Sequence, residues 1–177
     1  MDIFKRFPDT HSIISVYVLI IVFPYGWALY YFFWKLPSWL YYLSVGKISI
    51  FFAYTMALNF LESLVLLAAP VFWAFILPSK WFKENFIPAG GLYGLFLGCF
   101  LMYFSGHMET LSSFTYSIVF EFLGFIVLAV PLSVGLSRVR FLARLVSELA
   151  DRATIFLYII IPVSLLSILV VIVRNLI

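Results

Sequence analysis

Glu62 stands near the middle of a long apolar run, and Thr55, Asn59 and Ser63 fall on the same stripe of a helix drawn through it. A carboxyl at the centre of a bilayer costs about 2.5–3.5 kcal/mol or more on insertion scales, and no Lys or Arg lies inside any apolar run to neutralise it. The neutral acid, turned towards other helices and away from lipid, is therefore expected. Two roles are open to it. It is either a proton-carrying or substrate-contacting acid, or a structural group hydrogen-bonded to Asn59 or to a backbone carbonyl of a neighbouring helix.

Glu121 is a second acid, nearer the outer end of its own apolar run, on a stripe with Ser117, Gly124, Pro131 and Gly135. Small residues on that stripe permit close helix approach, so Glu121 is expected to point into the bundle or into a vestibule open to the outside. A depth difference under about 10 Å would then allow a relay through Glu121 to Glu62. Gly90, Gly94 and Gly98 form a GxxxGxxxG series, which clears a groove for another backbone. The partner in that groove is open: another span of the chain, a second copy, or a different protein.

Other residue types exclude chemistry. His11 precedes the first apolar run and His107 follows the third, so the two cannot share one haem or metal across the core. Cys99 is the one cysteine, which rules out an intrachain disulfide and a multi-cysteine metal site. HExxH, Walker A, CxxC, GxSxG and Asp-rich lipid-phosphate patterns are absent. No cofactor or metal is expected. An enzyme would have to work through Glu62, Glu121, His107 and Glu109 without a recognisable signature.

These residues need elements to hold them, and composition dictates which. With 177 residues, 65% hydrophobic and 11% charged, the chain has too little polar surface for a water-soluble globule, whose charged fraction is about 25%. The expected solvent is lipid. Helices of about 20 residues with short turns leave room for about five or six crossings and no soluble domain. The expected fold is an all-α integral membrane protein in one domain, with spans at about 13–34, 48–77, 87–104, 116–136 and 153–173. The first apolar run is longer than a signal h-region and lacks a small-x-small cleavage site, so it reads as a retained helix. The aromatic, uncharged stretch 36–46 reads as an interfacial turn, and the remaining aromatic residues as lipid-facing bulk and interfacial belt.

Five crossings gather Lys5, Arg6, Lys80, Lys83, Arg138, Arg140, Arg144 and Arg152 on one side, against Lys35, Lys47 and Arg174 on the other. By the positive-inside rule the first side is cytoplasmic, so the N-terminus is expected inside and the C-terminus outside, in the plasma or bacterial inner membrane. In and just after residues 138–152, Val139, Leu142, Leu145, Val146, Leu149 and Ala153 recur at helical spacing opposite Arg140, Arg144, Glu148 and Asp151. That pattern predicts an amphipathic helix on the cytoplasmic leaflet, its arginines meeting anionic headgroups. Prolines at 24, 70, 131 and 162 invite kinks within spans.

The functional expectation that follows is a small polytopic accessory or scaffold subunit acting through helix–helix packing, with a membrane-protein partner or a second copy and no nucleic acid. The alternative is a small proton-linked transporter or permeation element using the intramembrane carboxyls. A lipid-modifying enzyme is the third.

Overall fold

Hydrocarbon offers no partner to a backbone N–H or C=O, so a long apolar run must close its hydrogen bonds within itself, as a helix. The computed structural model describes residues 8–78, 82, 84–108 and 116–176, and for 105–108 and 116–118 the backbone alone. It is all-helical. The elements are α1 (Thr10–Trp39), α2 (Val45–Ile76), α3 (Phe86–Met108), α4 (Tyr116–Ser137), α5 (Arg140–Ala153) and α6 (Leu157–Leu176), with one 3₁₀ turn, Thr154–Phe156, joining the last two. Five helical stretches are long and apolar enough to cross a membrane, the fifth being Arg140–Leu176, whose apolar part is α6.

A helix overlies each expected span, with ends that shift by up to five residues, the largest shift being at the end of α1. α1 runs through the stretch read as an interfacial turn, which shrinks to the residues between Trp39 and Val45. Aromatic packing supports the extension: the Trp39 ring lies 5.6 Å from Phe32 and 5.6 Å from Phe51. Pro37 and Pro24 sit inside α1, and Pro70 inside α2, without ending either helix. At 30 and 32 residues, α1 and α2 are about 45–48 Å long, well over the roughly 30 Å hydrocarbon core. Both must tilt in a bilayer or project from it.

Residue pairs give the direction of every helix. Gly90, Gly94 and Gly98 of α3 meet Val16, Ile20 and Phe23 of α1 in ascending order, so these two helices run parallel. Tyr17 reaches Ser63 while Phe32 meets Phe52 edge-on, so α2 runs against α1. α4 runs against α3, since Tyr93 meets Ile126 while Phe100 and Phe104 meet Phe122. α6 runs with α1, with Tyr25 bound to Ser164 and Asn175 bound to Tyr54 near the start of α2. Thr10 and Asn175 consequently lie at opposite ends of the bundle. α1 and α3 form its centre: 50% and 56% of their most apolar windows are buried, against 28% for α2, 22% for α4 and 17% for Arg140–Leu176.

α5 leans on the first turns of α1 and α3. Val146 and Ala150 are buried with Leu19 and Leu92, while Arg140, Arg144, Glu148, Asp151 and Arg152 are exposed. A polar cleft at this end is lined by Ser12, Glu84, Asn85, Arg144 and Ser147.

Candidate functional site: the Glu62 cleft

The glycine series has an occupant, and it belongs to the same chain. A Cβ placed on Gly94 would stand 2.5 Å from Ile20 Cγ1, and one on Gly98 would stand 2.5 Å from Phe23 Cγ. At Gly90 the nearest atom is Val16 Cγ2 at 3.2 Å, and at Gly91 it is Leu19 Cδ1 at 2.6 Å. The groove is filled by α1, which is why α1 and α3 approach so closely.

Polar side chains then tie the helices together two at a time. The Tyr17 and Ser63 hydroxyls are 3.0 Å apart across α1 and α2, and the Tyr25 and Ser164 hydroxyls 2.6 Å apart across α1 and α6. Trp73 Nε1 donates to the Tyr93 hydroxyl at 2.9 Å, and that hydroxyl donates to the Ile126 carbonyl at 3.4 Å, linking α2, α3 and α4. Tyr54 donates to Asn175 at 3.1 Å, joining α2 to α6, with the Arg174 guanidinium 5.6 Å from the Tyr54 ring. Tyr17, Tyr25, Ser63, Tyr93 and Ser164 are all buried. In hydrocarbon a hydroxyl without a partner is costly, so each pairing also sets helix rotation.

The stripe containing Glu62 splits accordingly. Asn59 is buried, and its amide donates to the Thr55 carbonyl of its own helix at 2.7 Å, so it does not serve Glu62. Ser63 is spent on Tyr17 and on the Phe60 carbonyl at 2.7 Å. Glu62 itself is exposed. It is turned towards neighbouring helices without being enclosed by them: the buried arc of α2 turns Asn59 and Ser63 inward, and Glu62 lies at its edge. There it lines a cleft of about 210 Å³ with Phe23, Pro24 and Trp27 of α1 and Gly98, Leu101 and Met102 of α3. Among the described residues Glu62 is the one ionisable residue in that lining; Phe23, Pro24, Trp27 and Glu62 belong to the middle of α1 and α2, and Leu101 and Met102 to the second half of α3.

Glu121 is also exposed, as are Pro131 and Gly135, and a Cβ on Gly124 or Gly135 would meet nothing within 4 Å. The stripe expected to enter the bundle therefore faces outward. α4 turns instead on Phe122 and Phe125, which pack on Phe100, and on buried Ala129, Val130 and Val134. No residue of α4 lines the Glu62 cleft, so a Glu121-to-Glu62 relay is not built among the described residues.

Arg138, Arg140, Arg144 and Arg152 are exposed at one end of the bundle. Lys5, Arg6, Lys80, Lys83 and Glu109 lie outside the described residues, as do the side chains of Ser105, His107 and Ser117. No group of three or more metal-ligating side chains occurs among the described residues. Sequence reasoning missed Tyr17, Tyr25, Tyr93, Ser164 and Trp73, having assigned aromatic residues to lipid and interface. One signal was available: the hydroxyls of Tyr17 and Tyr25 lie deep inside an apolar run, where burial demands a partner.

The class these features define is an all-helical bundle with five helices long and apolar enough to cross a membrane and an acid-bearing cleft beside the middle of α2. Comparison with protein-family models, with curated proteins and with solved structures finds no match to this chain.

Proposed function

We propose that the chain is a multi-pass integral membrane protein acting as an accessory or scaffold subunit, and that it holds a partner's transmembrane helix at the Glu62 cleft. The exposure of Glu62 at the midpoint of α2 carries this reading. A carboxyl at mid-bilayer depth with no hydrogen bond among the described residues is relieved when a neighbouring helix brings a donor or a cation. The glycine series does not compete for that role, since α1 already fills it. The placement of Arg138, Arg140, Arg144 and Arg152 supports a cytoplasmic location for that end, in the plasma or bacterial inner membrane. α5 would then lie at the headgroups as an amphipathic helix.

The test is photo-crosslinking in native membranes from a probe at Leu101 in the cleft, with a probe at Leu166 on the exposed face of α6 as reference. A single stoichiometric adduct from Leu101, lost on Glu62→Leu while the protein stays folded, is the expected result. Adducts only with lipid from both sites would overturn the reading.

A second reading, proton-linked permeation, draws on the cleft volume: about 210 Å³ has room for several waters of about 30 Å³ each beside the acid. Glu62→Gln separates the two. An amide still hydrogen-bonds a partner helix but cannot take up and release a proton, so assembly with lost proton flux would favour permeation.

A further inference from the structure

We infer that the groove between the last turns of α2 and the second half of α4 is a lipid site, which seats one acyl chain of an anionic phospholipid and holds its headgroup with Arg138. The inference rests on the membrane setting and is independent of any partner at Glu62. The groove encloses about 450 Å³ and is lined by Trp73 and Leu77 on one side and Val130, Val134 and Gly135 on the other, with Arg138 at its end. Its α4 wall, from Val127 to Arg138, rises about 16 Å. That matches one leaflet's share of a hydrocarbon core about 30 Å thick.

Three features favour this occupant. The walls are apolar and belong to two membrane-spanning helices, so acyl chains are what bathes them. Trp73 is held by its bond to Tyr93, which makes that wall a fixed surface and not a side chain free to collapse into the space. Among the described residues Arg138 is the one charged residue in the lining, and no carboxylate of theirs competes for it there. An anionic headgroup complements that cation where a zwitterionic one largely cancels itself. Arg140, two residues further on at the start of α5, does not line the groove.

The test uses the full chain in mild detergent, stripped of endogenous lipid and titrated with phosphatidylglycerol or phosphatidylcholine of matched chains, and read by native mass spectrometry. One phosphatidylglycerol per chain, preferred over phosphatidylcholine, is expected. Arg138→Gln should lower that preference about fivefold. Gly135→Leu should abolish retention of both lipids; a Cβ there meets nothing within 4 Å, so the fold accepts the side chain while the groove does not. Arg140→Gln should leave the preference unchanged. Equal retention of both lipids by the unaltered chain would overturn the inference. So would a preference that survives both Arg138→Gln and Gly135→Leu, or one that Arg140→Gln erodes equally, the signature of a general basic surface. On the unaltered chain, phosphatidylglycerol with a photoactivatable acyl chain should label the peptide spanning 127–138. Labelling confined to other helices would sink the proposal without recourse to any variant.

Discussion

The hydroxyls of Tyr25 and Ser164, 139 positions apart in the chain, lie 2.6 Å from each other in the buried interior where α1 meets α6. Neither is reachable by water: Tyr25 is 2% and Ser164 0% exposed. The bond therefore reports the rotation of both helices, because a turn of either would strand a hydroxyl in hydrocarbon.

Tyr25→Phe keeps the ring and removes one hydroxyl, and Ser164 can then bond a carbonyl of its own helix. The expected loss is about 0.6 kcal/mol and no more than about 1.7 kcal/mol, the range for interhelical hydrogen bonds in membranes. Tyr25→Ala removes the ring as well and should cost about 3–5 kcal/mol through the cavity. Reversible unfolding in mixed micelles measures both. Equal losses would show that the hydroxyl, not the packing, dominates.

Gly94→Ala should destabilise the fold by about 1–3 kcal/mol, since the new methyl meets Ile20 Cγ1, which is too near the backbone to swing clear. Gly124→Ala, whose Cβ meets nothing within 4 Å, should leave stability unchanged or raise it slightly. Adding Ile20→Ala to Gly94→Ala should recover part of the loss, a coupling that only direct contact predicts. Strict additivity in the double-mutant cycle would contradict the α1–α3 contact.

Glu62→Leu should leave the isolated protein's thermal stability in detergent unchanged. Asn59 and Ser63 are satisfied by Thr55, Phe60 and Tyr17, so nothing buried loses a partner when the carboxyl goes. A fall of several degrees in Tm would mean that Glu62 supports the fold, and the interaction reading would lose its basis.

Orientation is checked by labelling single cysteines in a Cys99→Ser background. Ser44→Cys, between α1 and α2, should react with an impermeant maleimide added to intact cells, and Glu148→Cys on α5 only after permeabilisation. The reverse pattern would invert the proposed topology.

Helix number and placement were legible because a run of about 20 apolar residues has only one cheap conformation in lipid. Side-chain direction was less so. For α4 the small residues Gly124, Pro131 and Gly135 suggested a packing face, yet the helix buries Ala129, Val130 and Val134 and turns Glu121 outward. In a uniformly apolar helix both faces are compatible with burial, and periodicity carries no contrast from which to choose. In α5 the charged residues are exposed as the pattern suggested, but of the expected apolar stripe only Val146 is buried, together with Ala150, while Val139, Leu145 and Leu149 are exposed. The glycine series marked the close approach on α3 correctly, but a groove does not name its occupant, and only the three-dimensional register pairs it with Val16, Ile20 and Phe23. Glu62 was legible as a residue of interest; that it would sit at the open edge of α2 depended on how Asn59 and Ser63 were satisfied.

The central position of α1 bears on how the chain is made. α1 leaves the ribosome first, yet α3, whose glycine groove it fills, and α6, which receives the Tyr25 hydroxyl, come later. At about 5–20 residues per second, Ser164 follows Tyr25 by roughly 7–28 s. During that interval the side of α1 that carries the Tyr25 hydroxyl is unmatched. The nascent chain thus needs lipid, insertion machinery or an already assembled neighbour to shelter α1 until the final helix closes the bundle.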